Sequence, residues 1–363
     1  MNNPRFTFCI PNLNKMKYLP ACIQSMLAQD CEDWRCVFVD GFSTDGSWEY
    51  MQQFASDPRF LIRRGRRQGM YVDWNECLKH VETDYFYILT SDDTCFPSLV
   101  STTIAALDSY PEIDACHFEF CHIDENGAVI QTYREITFEI YKDINQYAHI
   151  RSGTCEFMMH FVYRGIYKTI TSLVFRRNLI TKMNGFSNLY GSHGDYDWTM
   201  RLGLFTDVLY IPKLLATWRI NEGQATPTIY DGQASPSVGF PTQAHKVFLD
   251  IAKYNLDYFT RTDKTLELKK SVNKNQILSI LSDAYASSWY REIISSKSRA
   301  DIPISLYLFI KAYPFYLFKV SLRRLSGNRL YAFQVKDYSK KLIKYYGLQW
   351  PPVKLETQKK ILN

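Results

Sequence analysis

The 363-residue chain lacks several signatures that would settle its chemistry at once. It has no Gly-x-Gly-x-x-Gly turn and no Gly-x-x-x-x-Gly-Lys-Ser/Thr loop, so dinucleotide and P-loop readings are weak. It has no Cys-x-x-Cys pair. All nine cysteines fall before residue 156, in odd number, and several sit in apolar runs as buried thiols do. A cysteine-based metal cluster is not expected, and a reducing compartment is. A Cys31–Cys36 disulfide is the alternative for that pair. The opening MNNPRFTFCIPNLN has no apolar core followed by a small-residue cleavage site, so no leader is expected. The longest apolar stretch, IPISLYLFIKAYPFYLFKVSL near 302–322, is broken by Lys311, Pro314 and Lys319 and is not expected to span a bilayer. Internal repeats and low-complexity tracts are absent.

What is present is an ordinary globular composition, 46% apolar and 22% charged, with room for one large domain and an extension. Aromatics are abundant, with 26 Tyr, 23 Phe and 7 Trp. Such rings fill cores and also line sugar-binding surfaces. The formal charge of +6 is uneven. Between Arg291 and Lys344 twelve Lys/Arg face three acids, a balance of +9, which leaves about −3 for the rest. A basic tail suits an anionic membrane or nucleic acid. The aromatic-basic motifs of nucleic-acid binders are missing, so no nucleic acid is expected.

The first 95 residues alternate strand and helix signals: strands at 6–10, 34–40, 59–64 and 84–90, helices at 18–27, 47–54 and 70–80. This predicts a mainly parallel α/β sheet with helices on both faces. Ligands bind such sheets beyond the carboxyl ends of the strands. Asp40 and the Asp92-Asp93 pair both fall on that edge. Further on, helices are expected at 98–108 and 196–204, and strands at 114–124, 168–177 and 207–212; residues 145–160 are ambiguous. Residues 221–243, rich in Gly, Pro, Ser and Thr, read as a mobile loop. After them the pattern is helical, giving a first domain over 1–243 and a mostly helical basic extension over 244–363.

Asp92 and Asp93 end an apolar strand. Adjacent acids there suit a divalent cation, a ribose hydroxyl, or a capped turn before the next helix. Asp40 sits in VDGFSTDGS, whose glycines permit tight turns. In HGDYDWTMRLGL, Asp195 and Asp197 precede a helical pattern; one would cap it and the other could act as a general base. RRGRRQG at 63–69 either takes phosphates through its arginines or is a solvated turn. His117, His122 and His193 form no spaced metal set.

Taken together, these segments resemble the family 2 glycosyltransferases, inverting enzymes of the GT-A fold. FCIPNLNKMKYLPACIQSMLAQ is similar to their first strand and helix, with Pro11 and Asn14 in the opening motif. VDGFSTDGS resembles their second-strand motif. RQGMYVDWNECL resembles a segment that in one branch reads D-x-G-I-Y-D-A-M-N-x-G; Gly69, Tyr71, Asp73 and Asn75 agree, and Arg67 stands where an acid is usual. LTSDDT occupies the place of the aspartate-rich metal motif, with Thr90 where many members have Asp. NGF at 184–186 is similar to the acceptor-side turn. GDYDWTMRL resembles the segment supplying the catalytic base, and WRINEGQ the arginine segment after it, with Asn221 where many have His. The resemblance covers about residues 5–225.

The resemblance implies a GT-A-like sheet and transfer of a sugar from a nucleoside-diphosphate donor to an acceptor hydroxyl. It implies that Pro11, Asn14, Asp40, Arg67, Asp92 and Arg219 bind donor. Asp93, with Asp92, would hold Mn2+ or Mg2+. Asp195 would be the base and Asp197 the runner-up. It favours bacterial glycan assembly, with a glycan or lipid-linked acceptor. The setting is then cytoplasmic, with residues 304–329 either lying on the anionic cytoplasmic face of the inner membrane or packing as a cap or on a homodimer partner. The alternative is a catalytically inactive sugar-binding or scaffolding protein on the same fold.

Overall fold

The computed structural model describes residues 4–130, 136–163, 165–190, 193–221, 302–316 and 350–356, with shorter stretches between 250 and 294. The chain divides into two compact units. One comprises Met1–Phe157, Ile166–Thr226 and Pro351–Asn363; the other comprises Met158–Gly165 and Pro227–Trp350.

The first unit is built on one ten-stranded sheet. Its first half is parallel: β1 (Phe6–Asn12), β2 (Trp34–Asp40), β3 (Phe60–Arg64) and β4 (Tyr85–Ile88), in the order β4-β1-β2-β3. Between them run α1 (Leu19–Leu27), α2 (Ser47–Gln52) and α3 (Met70–Lys79). Every residue of β1 and β4 is buried, with no alternation. That is the pattern of strands covered on both faces. Phe6, Phe8, Trp34 and Tyr87 pack edge to face or tilted in the core, 5.0–6.4 Å apart.

The strand expected at 6–10 runs on through Pro11 to Asn12. β4 pairs only with Phe6–Cys9, so past Cys9 one side of β1 has no strand and a residue without an N–H is tolerated.

The second half is mixed. After β5 (Thr94–Cys95) and α4 (Leu99–Asp108) come β6 (Ala115–Ile123), α5 (Ile136–Tyr141), β7 (His149–Arg151), α6 (Gly153–Tyr163) and β8 (Leu173–Arg176). Then follow α7 (Asn178–Met183), α8 (Gly194–Leu202), β9 (Val208–Arg219) and β10 (Val353–Glu356). β8 lies antiparallel between β4 and β6, β9 runs parallel to β6, and β7 and β10 add antiparallel strands at that edge. The α/β architecture is as expected, mainly parallel in its centre. Val353–Glu356, expected inside a helical extension, instead forms a strand of this sheet.

All nine cysteines are free thiols, Cys31 and Cys36 included. The loop expected at 221–243 lies, beyond Asn221, outside the described residues. So do Arg323, Arg324 and Arg329. Among the described residues no helix is long and apolar enough to cross a membrane.

Candidate active site

A cavity of about 650 Å³ opens where β1, β2 and β4 end. That size falls within the roughly 300–1,000 Å³ of small-molecule sites. Asn14, Lys15, Arg67, Asp92, Lys168 and Asp195 bring its polar groups together; Pro11 and Trp218 add apolar wall.

The loop after β1 is held by the loop after β2. Asn14 takes φ 52°, its N–H donates to Ser43 Oγ at 2.8 Å, and its Oδ1 accepts from the Thr44 N–H at 2.8 Å. Asp40 directs this arrangement from beneath. It is fully buried, and its carboxylate accepts from Asn12 Nδ2 at 3.0 Å and the Ser43 N–H at 2.9 Å, and pairs with Arg64. Arg64 in turn lies 4.0 Å over the Trp48 ring. Asp40 does not line the cavity; its bonds organise the loops that do. Arg67 lies on the cavity wall, 5.6 Å over the Phe42 ring.

The adjacent acids part company. Asp93 is 1% exposed, and both its oxygens are taken. Oδ2 accepts from the Thr90 hydroxyl at 2.5 Å and the Thr171 hydroxyl at 2.8 Å, while Oδ1 accepts from the Arg219 N–H at 2.7 Å. Burial, with Asp92 close by, pushes its carboxyl up to about 7. Asp92 is the more accessible acid. Its Oδ2 pairs with Lys15 Nζ at 2.9 Å and accepts from Asn221 Nδ2 at 3.1 Å. Arg219, expected to steady a diphosphate, is 3% exposed and committed elsewhere. Its Nε donates to the Asp92 carbonyl at 2.7 Å and its Nη1 to the Asp124 carbonyl at 2.8 Å. It positions Asp92 through the backbone.

Asp195 lies across the cavity in the first turn of α8, half-buried. Its Oδ1 accepts from Tyr71 Oη at 2.9 Å. Burial raises its carboxyl above the usual carboxylate range, and the Tyr71 bond works against that rise. Tyr71 is itself buried and stacks on Phe186, ring centroids 5.9 Å apart. Gly194 lets them meet: a Cβ there would stand 2.7 Å from the Tyr71 ring.

Asp197 is 1% exposed, and Oδ2 accepts from Arg201 Nε and Nη2, each at 2.8 Å. It does not line the cavity. Neither acid caps the helix, because α8 begins before both and His193 holds the N-cap position.

Lys15, Tyr71 and Lys168 went unassigned in the sequence. Tyr71 carried a signal, its place in RQGMYVDWNECL; the direction of a long lysine side chain carries none.

The expected Mn2+ or Mg2+ does not fit this donor set well. Asp93 already accepts three hydrogen bonds, one on Oδ1 and two on Oδ2, and is 1% exposed. Asp92 already holds an ammonium, and Thr90 and Asn221 bring no charge. Among the described residues no three His, Cys, Asp or Glu come together as a metal group.

The model of Glycosyl transferase family 2 matches residues 7–167. That segment is similar to family 2. The chain is 33% identical over 108 residues to a PGL/p-HBAD biosynthesis glycosyltransferase of Mycobacterium bovis, covering 29% of this chain and 42% of that protein. It is 28% identical over 129 residues to the putative glycosyltransferase EpsE of Bacillus subtilis, covering 35% and 46%. The chain thus spans less than half the length of these curated relatives. The crystal structure of S. aureus TarS residues 1–349 in complex with UDP-GlcNAc aligns with a TM-score of 0.60 at 17% identity, over 85% of this chain and 81% of that one. At this identity the likeness speaks for the fold, which is GT-A. Members of that fold and family generally use a divalent cation.

Proposed function

We propose that the chain is an inverting glycosyltransferase, moving a sugar from a nucleoside-diphosphate donor to an acceptor hydroxyl with Asp195 as general base. The observation that carries this reading is the placement of Asp92 with Lys15, and of Asp195 with Tyr71, on one cavity at the carboxyl edge of a family 2 sheet. The acceptor O–H gives its proton to the Asp195 carboxylate as its oxygen bonds to the anomeric carbon. The bond from that carbon to the diphosphate oxygen breaks, and the electron pair leaves with the diphosphate. Lys15, Arg67 and Lys168 are the cavity cations that face the developing charge. Pro11 and Asn14 border the donor.

The acceptor is proposed to be a growing glycan or lipid-linked glycan, in keeping with the biosynthetic names of the relatives. An anionic lipid surface is proposed as a partner through residues 304–329. Ile304, Tyr307, Ile310 and Phe315 are exposed on the described part of that segment.

Asp195→Asn tests the base. Turnover should fall about 10²- to 10⁴-fold, the usual worth of a general base, with donor binding kept. Undiminished turnover would remove Asp195 from the role. The commitment of both Asp93 oxygens favours one second reading, an inactive sugar-binding protein. It predicts donor binding by the wild type with no transfer to any acceptor.

A further inference from the structure

Two adjacent aspartates past the end of β4 line the cavity and look like a cation site, yet one is largely taken up by hydrogen bonds and the other already has a cation. Asp93 spends both oxygens on Thr90, Thr171 and the Arg219 N–H. Asp92 is oriented through its backbone by Arg219 and holds Lys15 Nζ at 2.9 Å. Both side chains of that pair are largely withdrawn from solvent, with 19% and 15% exposed. Asn221 braces the pair from the end of β9, donating to Asp92 Oδ2 at 3.1 Å and accepting from Lys15 Nζ at 3.4 Å. The ammonium is therefore fixed by two partners on the wall of the cavity. A divalent ion arriving with a diphosphate would compete with it for the same carboxylate, whose Oδ2 both partners already hold.

We propose that Lys15 supplies, from within the chain, the positive charge that a divalent cation would bring to Asp92, so that the donor diphosphate is bound without a metal. This rests on the glycosyl-transfer reading above. The electrostatics are consistent. An ammonium is a compact point charge with three donors, enough to keep Asp92 and still bond a phosphate oxygen. It carries one charge where a metal carries two, and Arg67 and Lys168 on the same cavity make up the difference. Asp92 then acts as the anchor that aims Lys15, and Thr90 and Asn221 have no need to be metal ligands.

The experiment is calorimetric titration of UDP, GDP and dTDP into the full chain, in EDTA and separately in Mn2+, with bound Mn2+ followed by electron paramagnetic resonance. Wild type, Lys15→Ala and Lys15→Arg are compared, with circular dichroism as the check on folding. At least one nucleotide should bind wild type in EDTA, tightening by less than about threefold with Mn2+. Lys15→Ala should lose at least about tenfold in EDTA and regain it with Mn2+, with a protein-bound Mn2+ signal the wild type lacks. Lys15→Arg should keep metal-free binding. Wild-type binding that occurs only with Mn2+ would overturn the inference and leave the transferase reading standing. So would Lys15→Ala binding in EDTA as tightly as wild type. Folded wild type that binds no nucleotide in either condition would overturn both.

Discussion

A neighbour's hydrogen bond decides what each acid in the cavity can do. Tyr71 Oη donates to the Asp195 carboxylate, which favours its charged form, while burial favours the neutral one. A general base works only when deprotonated, so removing the donor should raise the carboxyl further. In Tyr71→Phe the acidic limb of the kcat/KM profile should move to higher pH, with the alkaline limb in place. A uniform drop in rate at every pH would assign Tyr71 to packing alone. Asp93 belongs to a different category. Its three bonds tie the β4 turn to β9 and to the residues before β8, so Asp93→Ala should cost about 2–4 kcal/mol in denaturant midpoint analysis, because it leaves buried donors without an acceptor. A loss of nucleotide binding at unchanged stability would instead return it to the site. Position in the sequence left Asp92 and Asp93 side by side at one strand end, and resemblance made Asp93 the metal ligand. Thr90 was legible as a departure from the motif, but its use was not. Its hydroxyl is what fills the inner aspartate, and that depends on how a tight turn aims two consecutive side chains.

The parallel half of the sheet was readable because its elements are local. Each strand is a short apolar run, each helix shows its own periodicity, and the turn residues between them are explicit. The antiparallel half depends on pairings between distant segments. Residues 145–160, ambiguous in the sequence, hold β7 and much of α6, and β7 is paired by β9 and by β10 from the far end of the chain. No local pattern announces such a pairing. The described helix Ile302–Ala312 was legible in kind, and its faces are now distinct. Ser305 and Phe309 are buried, the latter against Trp289 and Tyr316, while Ile304, Tyr307 and Ile310 are exposed. An exposed apolar stripe in a basic stretch can lie in a headgroup layer. The paired substitution Tyr307→Asp and Ile310→Asp should therefore reduce flotation with anionic liposomes, with little effect on zwitterionic ones. If flotation is unchanged while the sedimentation coefficient falls, the stripe joins two copies of the chain instead.

At the scale of the molecule, an interior charge cluster that the proposed chemistry does not use sets a pH dependence of stability. Arg151 is fully buried between the rings of Tyr141 and Tyr210, 4.2 Å from each centroid. It donates to His149 Nε2 at 3.1 Å and Asn145 Oδ1 at 2.9 Å, with His117 Nδ1 at 3.0 Å. Glu156 lies 3.8 Å from it and accepts from Tyr141 Oη at 3.2 Å and from Tyr167. Burial outweighs these partners and pushes the Glu156 carboxyl up to about 7. In the unfolded chain the same group titrates near 4.5. Between those values the native state holds a proton that the unfolded state has released, so this group's contribution is complete at and below about pH 4.5 and falls as pH rises toward 7. Glutamine in its place has no such proton to lose. The stability of Glu156→Gln relative to wild type, from urea titrations at pH 4.5, 5.5, 6.5 and 7.5, should therefore improve steadily with pH and level off above about 7. The comparison cancels the titration of every other group, including His149, whose burial beside Arg151 drives it down to about 3 and gives a slope of the opposite sign. A difference that stays flat would mean that Glu156 is ionised throughout, with Arg151 holding the carboxylate against the cost of its burial.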